Sequence, residues 1–477
     1  MQKHPLYLNG QWSDGTGSLA VTDPGNGETI GEIATVGRDE AWQAIDDAHD
    51  ALPGWRATTA RTRGDYLLAV ASGIERRKDE IARTITRENG KPLKESAGEV
   101  AGTIDHLRWF AEEGRRSYGR IVPHQAEGKR HMILKQPVGV VAAISPWNFP
   151  LILAVRKVAP ALAAGCPVIL RPASATPLCA HALAECMFEA AIPPGVFQLI
   201  SGPASAIADA FMKHPHCRKI TFTGSTEVGQ KLIAQSADQV TRLSLELGGQ
   251  APLLIFDDAR LDAAIDDALI TKFRNTGQSC IASNRFYVQA GVYDAFVERF
   301  TEKVAAMKVG HGLEDGVDVG AMIDQAGLDS AMQHIKDALD RGARVTTGGE
   351  AADISDGTFL RPTVLADVPD DALCMTEETF APVAPIARFD DEADAIRRAN
   401  DTRYGLAAYA YTSDLNRSWR LAEALEAGSL CINDAVPSTS NCPFGGMKQS
   451  GIGRELGYEG LEAFLETKHV SLGGIDA

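Results

Sequence analysis

Between residues 138 and 246 the chain alternates short apolar runs, rich in Val, Ile and Leu, with longer helix-like segments, and turn residues mark the junctions. Apolar strands without polar alternation need cover on both faces, so the pattern predicts a parallel sheet with helices on either side. Five strands are expected at 138–145, 167–171, 196–200, 219–223 and 241–246, with helices at 151–164, 176–191, 204–214 and 225–236. Such sheets bind ligands beyond the carboxyl ends of their strands, and this half reads as a Rossmann-like nucleotide-binding domain.

After Gly248-Gly249 a second alternation begins. Strands are expected at 252–256, 285–289, 383–388, 406–412 and 429–432, and helices at 261–274, 293–306 and 392–400. A second α/β domain follows, in keeping with a length of 477 residues, which exceeds one ordinary core. Upstream, 41–51 and 61–89 read as amphipathic helices. The mixed charges Glu75, Arg76, Arg77, Lys78, Asp79 and Glu80 suit a solvated face.

The formal charge of -16 repels nucleic acid and anionic membranes, so neither is expected as a partner. The apolar stretches 138–145 and 151–170 are broken by Pro146, Trp147, Asn148, Pro150, Arg156 and Lys157 short of the ~20 residues a bilayer span needs. Residues 1–7 carry no apolar secretory stretch, which predicts a cytoplasmic protein with reduced cysteines. The eight cysteines show no C-x-x-C pairing, so no metal is predicted.

Four segments carry chemistry-bearing residues. Cys280 follows Asn275-Thr276-Gly277-Gln278-Ser279, small or polar neighbours that leave room for a substrate carbonyl, whereas a structural Cys usually sits among Val, Leu and Ile. Glu246 ends a strand ahead of Leu247-Gly248-Gly249. The 219–223 strand runs into Gly224-Ser225-Thr226-Glu227-Val228-Gly229, where helix N–H groups capped by Ser225 suit a phosphate or simply close a turn. In Pro146-Trp147-Asn148-Phe149-Pro150 two prolines stiffen a turn, and Asn148 either serves a ligand or steadies its own backbone. A fifth segment, Gly451-Ile452-Gly453-Arg454-Glu455-Leu456-Gly457, imitates a dinucleotide fingerprint but misplaces the third glycine and has no βαβ unit after it. It reads as a loop before a terminal element.

Taken in order, Pro146 to Pro150, Phe222 to Gly229, Glu246 to Gly249, Gly277 to Cys280, Glu378-Thr379-Phe380 and Pro443-Phe444-Gly445-Gly446 resemble the signature set of the NAD(P)-dependent aldehyde dehydrogenase superfamily. The resemblance implies an aldehyde dehydrogenase fold: a cofactor domain (1–119 and 136–247), a catalytic domain (248–435), and a β arm and tail for homodimer or homotetramer assembly (120–135 and 436–477). It implies Cys280 as nucleophile, Glu246 as general base and Asn148 as oxyanion donor. Residues matching cofactor positions are Trp147, Arg171, Ser174, Gly224, Ser225, Gly229, Leu247, Glu378 and Phe380.

Two departures refine this. Arg171 stands where the family usually has Lys, and Ser174 where members preferring NAD often carry Glu. Loss of an acid that would repel a 2′-phosphate leans the chain towards NADP, with NAD still possible. Arg156, Arg274 and Ser438, near Phe444, resemble the carboxylate-binding set of succinate-semialdehyde dehydrogenases; Arg156 could instead pair with an acidic neighbour. The expected reaction is oxidation of a short aldehyde with a distal carboxylate, through a Cys280 thiohemiacetal and thioester. Alternatives are glutarate or 2-oxoglutarate semialdehyde, a neutral aldehyde, or thioester or ester hydrolysis without hydride transfer. Ala282 occupies the place where many such enzymes carry a second Cys, which argues against a disulfide switch at Cys280.

Overall fold

A computed structural model describes residues 2–354 and 356–474, leaving 475–477 of the expected tail outside the described residues. Two sheets dominate. The first has eight strands in the order Gly451–Ile452, Arg242–Glu246, Cys217–Thr223, Val140–Ile144, Val168–Arg171, Phe197–Leu199, Leu6–Leu8 and Gln11–Ser13. Its five central strands are mutually parallel, as the apolar runs predict. Alternate residues of one strand feed two separate cores: Val141 and Ala143 pack on one face, Val140, Ala142 and Ile144 on the other. Cover on both faces explains the unbroken apolar sequence.

Chain order across these five strands reverses beside Val140–Ile144, whose neighbours are Val168–Arg171 and Cys217–Thr223. The crevice of a doubly wound sheet opens at such a reversal. The turn 146–150 and Gly224-Ser225 leave the carboxyl ends of the two strands that flank it.

The second sheet orders Arg344–Thr347, Thr363–Ala366, Val383–Phe389, Ser283–Gln289, Ala251–Ile255, Ala407–Tyr411 and Ser429–Ile432, and only Arg344–Thr347 runs antiparallel to its neighbour. Gly248-Gly249 carries the chain from the first sheet into it. A Cβ on Gly249 would stand 2.2 Å from the Cys280 carbonyl oxygen, so only glycine admits this approach. Arg120–Val122, Lys129–Pro137 and Leu465–Gly473 form a separate three-stranded antiparallel sheet, with Tyr118 and Ile121 exposed beside it.

The structure changes two expectations. Residues 61–89 are two helices, Ala60–Arg76 and Lys78–Asn89, because Arg77 leaves helical geometry at φ -107°, ψ 14°. The charged run is solvated as expected, with Glu75, Arg76, Lys78, Asp79 and Glu80 exposed, while Glu88, Asn89 and Lys91 further on are buried. The fingerprint-like segment at 451–457 is more than a loop. Gly451–Ile452 pairs antiparallel with Leu245 and Glu246, and its first glycine is needed because a Cβ would lie 2.1 Å from the Leu245 oxygen.

Candidate active site

A cleft with about 220 Å³ of room lies over the chain reversal, lined by Pro146, Trp147, Asn148, Thr223, Gly224, Ser225, Leu247, Gly248, Cys280, Glu378 and Phe380. Eight of these are residues that the sequence singles out. Gly229 sits behind the wall, where a Cβ would meet Leu247 Cδ2 at 2.5 Å. Ser225 caps the helix Thr226–Ser236 by accepting the Val228 N–H at 3.4 Å. Phe380, at a left-handed φ of 49°, packs edge-on to Trp147 with ring centroids 5.5 Å apart. Glu378 accepts the Gly249 N–H at 2.9 Å, and burial raises its carboxyl to about 8.

Cys280 is half-buried at the end of a tightly wound loop, just before strand Ser283–Gln289. The loop is held open by Asn275 and Thr276, both left-handed, and by Gly277 at φ +72°, where a Cβ would collide with the Ala381 oxygen at 2.2 Å. Gln278 locks it by donating to the Ala321 oxygen at 3.4 Å and accepting the Ile323 N–H at 2.9 Å. Burial pushes the Cys280 thiol up to about 12; Glu378 adds to the rise, Arg156 opposes it and Glu246 adds again.

Asn148 donates one amide hydrogen to the Gln278 oxygen at 3.2 Å. A primary amide nitrogen carries two hydrogens, so the second is available to a ligand. Glu246 is buried, its Oε2 without a hydrogen-bond partner. Burial and then the Glu455 carboxylate hold the Glu246 carboxyl well above the usual range, while Lys157, Arg156 and Arg454 pull it down. Lys157 bonds Glu455 and donates to Thr223 Oγ1 at 2.6 Å, which ties the terminal segment to this floor. Neither Lys157 nor Glu455 was singled out from sequence.

Arg156, Ser438 and Phe444 do converge. The Arg156 guanidinium donates to Ser438 Oγ at 2.6 Å and lies 4.9 Å from the Phe444 ring centroid. It is buried, its Nε has no partner, and no ion pair to it exists among the described residues. Buried His106 lies near enough for Arg156 to help burial hold its imidazole down at about 2, so it stays neutral and supplies no counter-charge. Arg274 is exposed and stacks 4.7 Å above the Phe149 ring, near enough to Arg156 to help hold its pKa down.

Arg171 donates to Ser174 Oγ and to the Gly202 oxygen, each at 3.2 Å, while its Nε is buried without a partner. Ser174 is exposed. Elsewhere, Asp46, His214 and His216 bring three possible metal-ligand atoms within 4.8 Å of one another. His214 Nδ1 accepts the His216 N–H at 3.1 Å, which leaves the proton of the neutral ring on Nε2, 3.2 Å from Asp46 Oδ1. A metal-bound His normally donates from its other nitrogen, whereas His214 Nδ1 accepts, so the trio is poorly set up as a metal site.

Asn148 and Cys280 line one cleft over the doubly wound sheet, with buried Glu246 at the end of a strand of that sheet, and the chain belongs to the aldehyde dehydrogenase family, whose sequence profile matches residues 12–470. The chain is 48% identical over 474 residues to succinate-semialdehyde dehydrogenase [NADP(+)] GabD of Escherichia coli (strain K12), covering 99% of this chain and 98% of that protein. It is 47% identical over 475 residues to glutarate-semialdehyde dehydrogenase of Pseudomonas aeruginosa, covering 99% and 98%. A crystal structure of succinate-semialdehyde dehydrogenase from Burkholderia pseudomallei superposes with a TM-score of 0.97 at 44% identity, covering 98% of both chains. No helix among the described residues is long and apolar enough to cross a membrane.

Proposed function

We propose that the protein oxidises a short aldehyde bearing a distal carboxylate, succinate semialdehyde or a near homologue, to the acid with NADP, NAD being the second cofactor. The observation that carries the substrate reading is Arg156, a buried guanidinium with an unpartnered Nε and a hydroxyl in place of a counter-ion. A buried cation is costly unless an anion meets it, and a substrate carboxylate would supply one at a fixed distance from Cys280. Relatives named for succinate and glutarate semialdehydes support this reading. Arg274, exposed beside Phe149, would meet the carboxylate on its way in.

The cleft fits a dinucleotide. The capped helix start at Ser225 offers N–H groups to a pyrophosphate, Gly224 and Gly229 keep its wall low, Glu378 accepts ribose hydroxyls, and Arg171 with Ser174 leaves room for a 2′-phosphate. Bound there, the cofactor supplies the hydride acceptor and a positive ring.

Sγ of Cys280 carries both covalent states, the thiohemiacetal and then the thioester. With its thiol at about 12, mainly through burial, the free protein holds almost no thiolate at neutral pH, so activation comes when Arg156 and the positive charge that the cofactor would bring favour the thiolate. The free hydrogen of Asn148 Nδ2, with the Cys280 N–H, stabilises the oxyanion at each stage. Glu246 then takes a proton from the water that opens the thioester, and Lys157 and Arg156 help it lose the proton it holds. Assembly as a homodimer or homotetramer through the three-stranded arm, in the cytoplasm, completes the proposal.

The deciding experiment follows absorbance at 340 nm with succinate semialdehyde, glutarate semialdehyde and butanal, against NADP and NAD. We expect reduced cofactor, fastest with a semialdehyde and NADP. No reduced cofactor from any of the aldehydes, with turnover of a thioester or ester offered in their place, would replace the reading with hydrolysis.

A further inference from the structure

Lys91 is fully buried and bonds at both ends of the segment that carries Asn148. Its ammonium donates to the Asn148 carbonyl oxygen at 2.6 Å and to Glu99 Oε2 at 2.8 Å, and it lies 4.0 Å from the Phe149 ring centroid. Glu99 is buried too, and its other oxygen accepts the Leu151 N–H at 2.9 Å and the Ile152 N–H at 3.2 Å. These are the first-turn donors of the helix Pro150–Ala164. One ion pair therefore fixes the backbone on both sides of Phe149.

The nucleophile loop grips the same carbonyl. Asn275 Nδ2 donates to the Asn148 oxygen at 2.8 Å, while the Asn275 N–H donates to Glu95 Oε2 at 2.6 Å. Asn89 closes the upstream side by donating to the Trp147 oxygen at 3.0 Å. The Asn148 peptide is thus held by Lys91 from below and by Asn275 from the loop that ends in Cys280. A buried ion pair contributes little net stability compared with apolar residues of the same volume. What short charge-assisted bonds in a dry interior supply is direction.

We propose that Lys91, seated by Glu99, is a positioning residue that aims the Asn148 amide at the oxyanion formed on Cys280. This rests on Asn148 being the oxyanion donor. Lys91 touches no reacting atom; it acts by fixing the peptide from which the Asn148 side chain springs. A displacement of about 1 Å in such a donor costs on the order of a hundredfold in rate.

The test is a double-mutant cycle on kcat. Lys91→Met should lower kcat about tenfold to a hundredfold and leave the KM for aldehyde and cofactor within about twofold, because it removes an interaction that matters in the transition state. In an Asn148→Ala background the same change should have no further effect, since residues that act through one another are non-additive. A purely structural role would lower kcat in both backgrounds alike. Lys91→Met leaves Glu99 unpaired, so Lys91→Met/Glu99→Gln repeats the measurement without the stranded charge, and Glu99→Gln alone, which keeps an acceptor for the helix, gives a milder loss of the same kind. Wild-type kcat in a folded Lys91 variant, additive losses, or unchanged kcat in Glu99→Gln if neither Lys91 variant folds, would each overturn the proposal. Full turnover by Asn148→Ala alone would instead refute the oxyanion assignment beneath it.

Discussion

Arg156 donates to Ser438 across an interface between the first-sheet helix Pro150–Ala164 and the C-terminal segment, at 2.6 Å, with no carboxylate to complete the contact. Other buried cations nearby are satisfied within the protein. Lys91 has Glu99, Lys157 has Glu455, and Arg285 donates to the oxygens of Gln250, Arg398 and Ala399. Arg156 and Lys219, which donates to Ser244 Oγ at 2.6 Å, have only a hydroxyl, and of the two Arg156 is the one near enough to Cys280 to oppose the rise of its thiol.

Arg156→Met should therefore raise the KM for succinate semialdehyde by about tenfold to a hundredfold, the worth of a charge-assisted contact, and change that for butanal little. Arg274→Ala should act in the same direction but more weakly, because its guanidinium is exposed. Steady-state kinetics with both aldehydes checks this, and equal effects on the two would remove the carboxylate from the recognition scheme.

Deacylation should speed up as pH rises. The Glu246 carboxyl is held well above the usual range, so it is protonated at low pH and becomes an acceptor only as pH climbs through its raised pKa. Glu246→Gln has no such acceptor and should accumulate an acyl adduct on Cys280, visible in the intact mass, with the pH dependence of single-turnover thioester decay lost.

Cofactor choice should turn on Ser174. Introducing Ser174→Glu places a carboxylate within reach of Arg171 and of any 2′-phosphate, and should cut kcat/KM for NADP at least about tenfold while sparing NAD. The ratio of the two kcat/KM values is the measurement; an unchanged ratio would move the selectivity elsewhere.

Stability should fall from mildly acidic to neutral pH, and Glu88 contributes to the slope. Fully buried, it accepts the Leu178 and Cys179 N–H groups at 2.7 and 2.9 Å, and burial raises its carboxyl from 4.5 to about 7. A carboxyl whose folded pKa is raised contributes stability below its unfolded pKa, lost as pH rises through the folded value, here between 4.5 and about 7. Urea midpoints for Glu88→Gln should vary less with pH over that window than those of the parent protein.

Ten of the fifteen strands in the two sheets are readable as apolar-rich runs, whereas strands such as Leu6–Leu8, Gln11–Ser13 and Gly451–Ile452 are too short to announce themselves; Cys280, Glu246 and Asn148 stand out in the sequence because each lies in a distinctive motif. What escaped was carried by polar residues whose burial no local pattern announces. Lys91 follows a helix dense in charge, which reads as solvated, yet its partner Glu99 lies on Leu93–Glu113, a helix not anticipated. Two other helices, Gln325–Asp340 and Leu415–Ala424, do carry a readable signal, since Asp324 and Asp414 cap them through their side chains. Arg274 is grouped with Arg156 by the resemblance; in the structure it precedes the left-handed turn at Asn275 and Thr276, its guanidinium exposed against Phe149 yet near enough to Arg156 to help hold its pKa down.

The pairing of Leu245 and Glu246 with Gly451–Ile452 bears on how the molecule is made. A ribosome delivers the amino-terminal half first, and domains generally fold as they emerge. Here the strand that ends in Glu246 lacks its outer neighbour, and Lys157 its partner Glu455, until almost the whole chain has been translated. The nucleotide half cannot finish early and wait, so a nascent chain stopped short of residue 450 should leave Glu246 at an open sheet edge and no working enzyme.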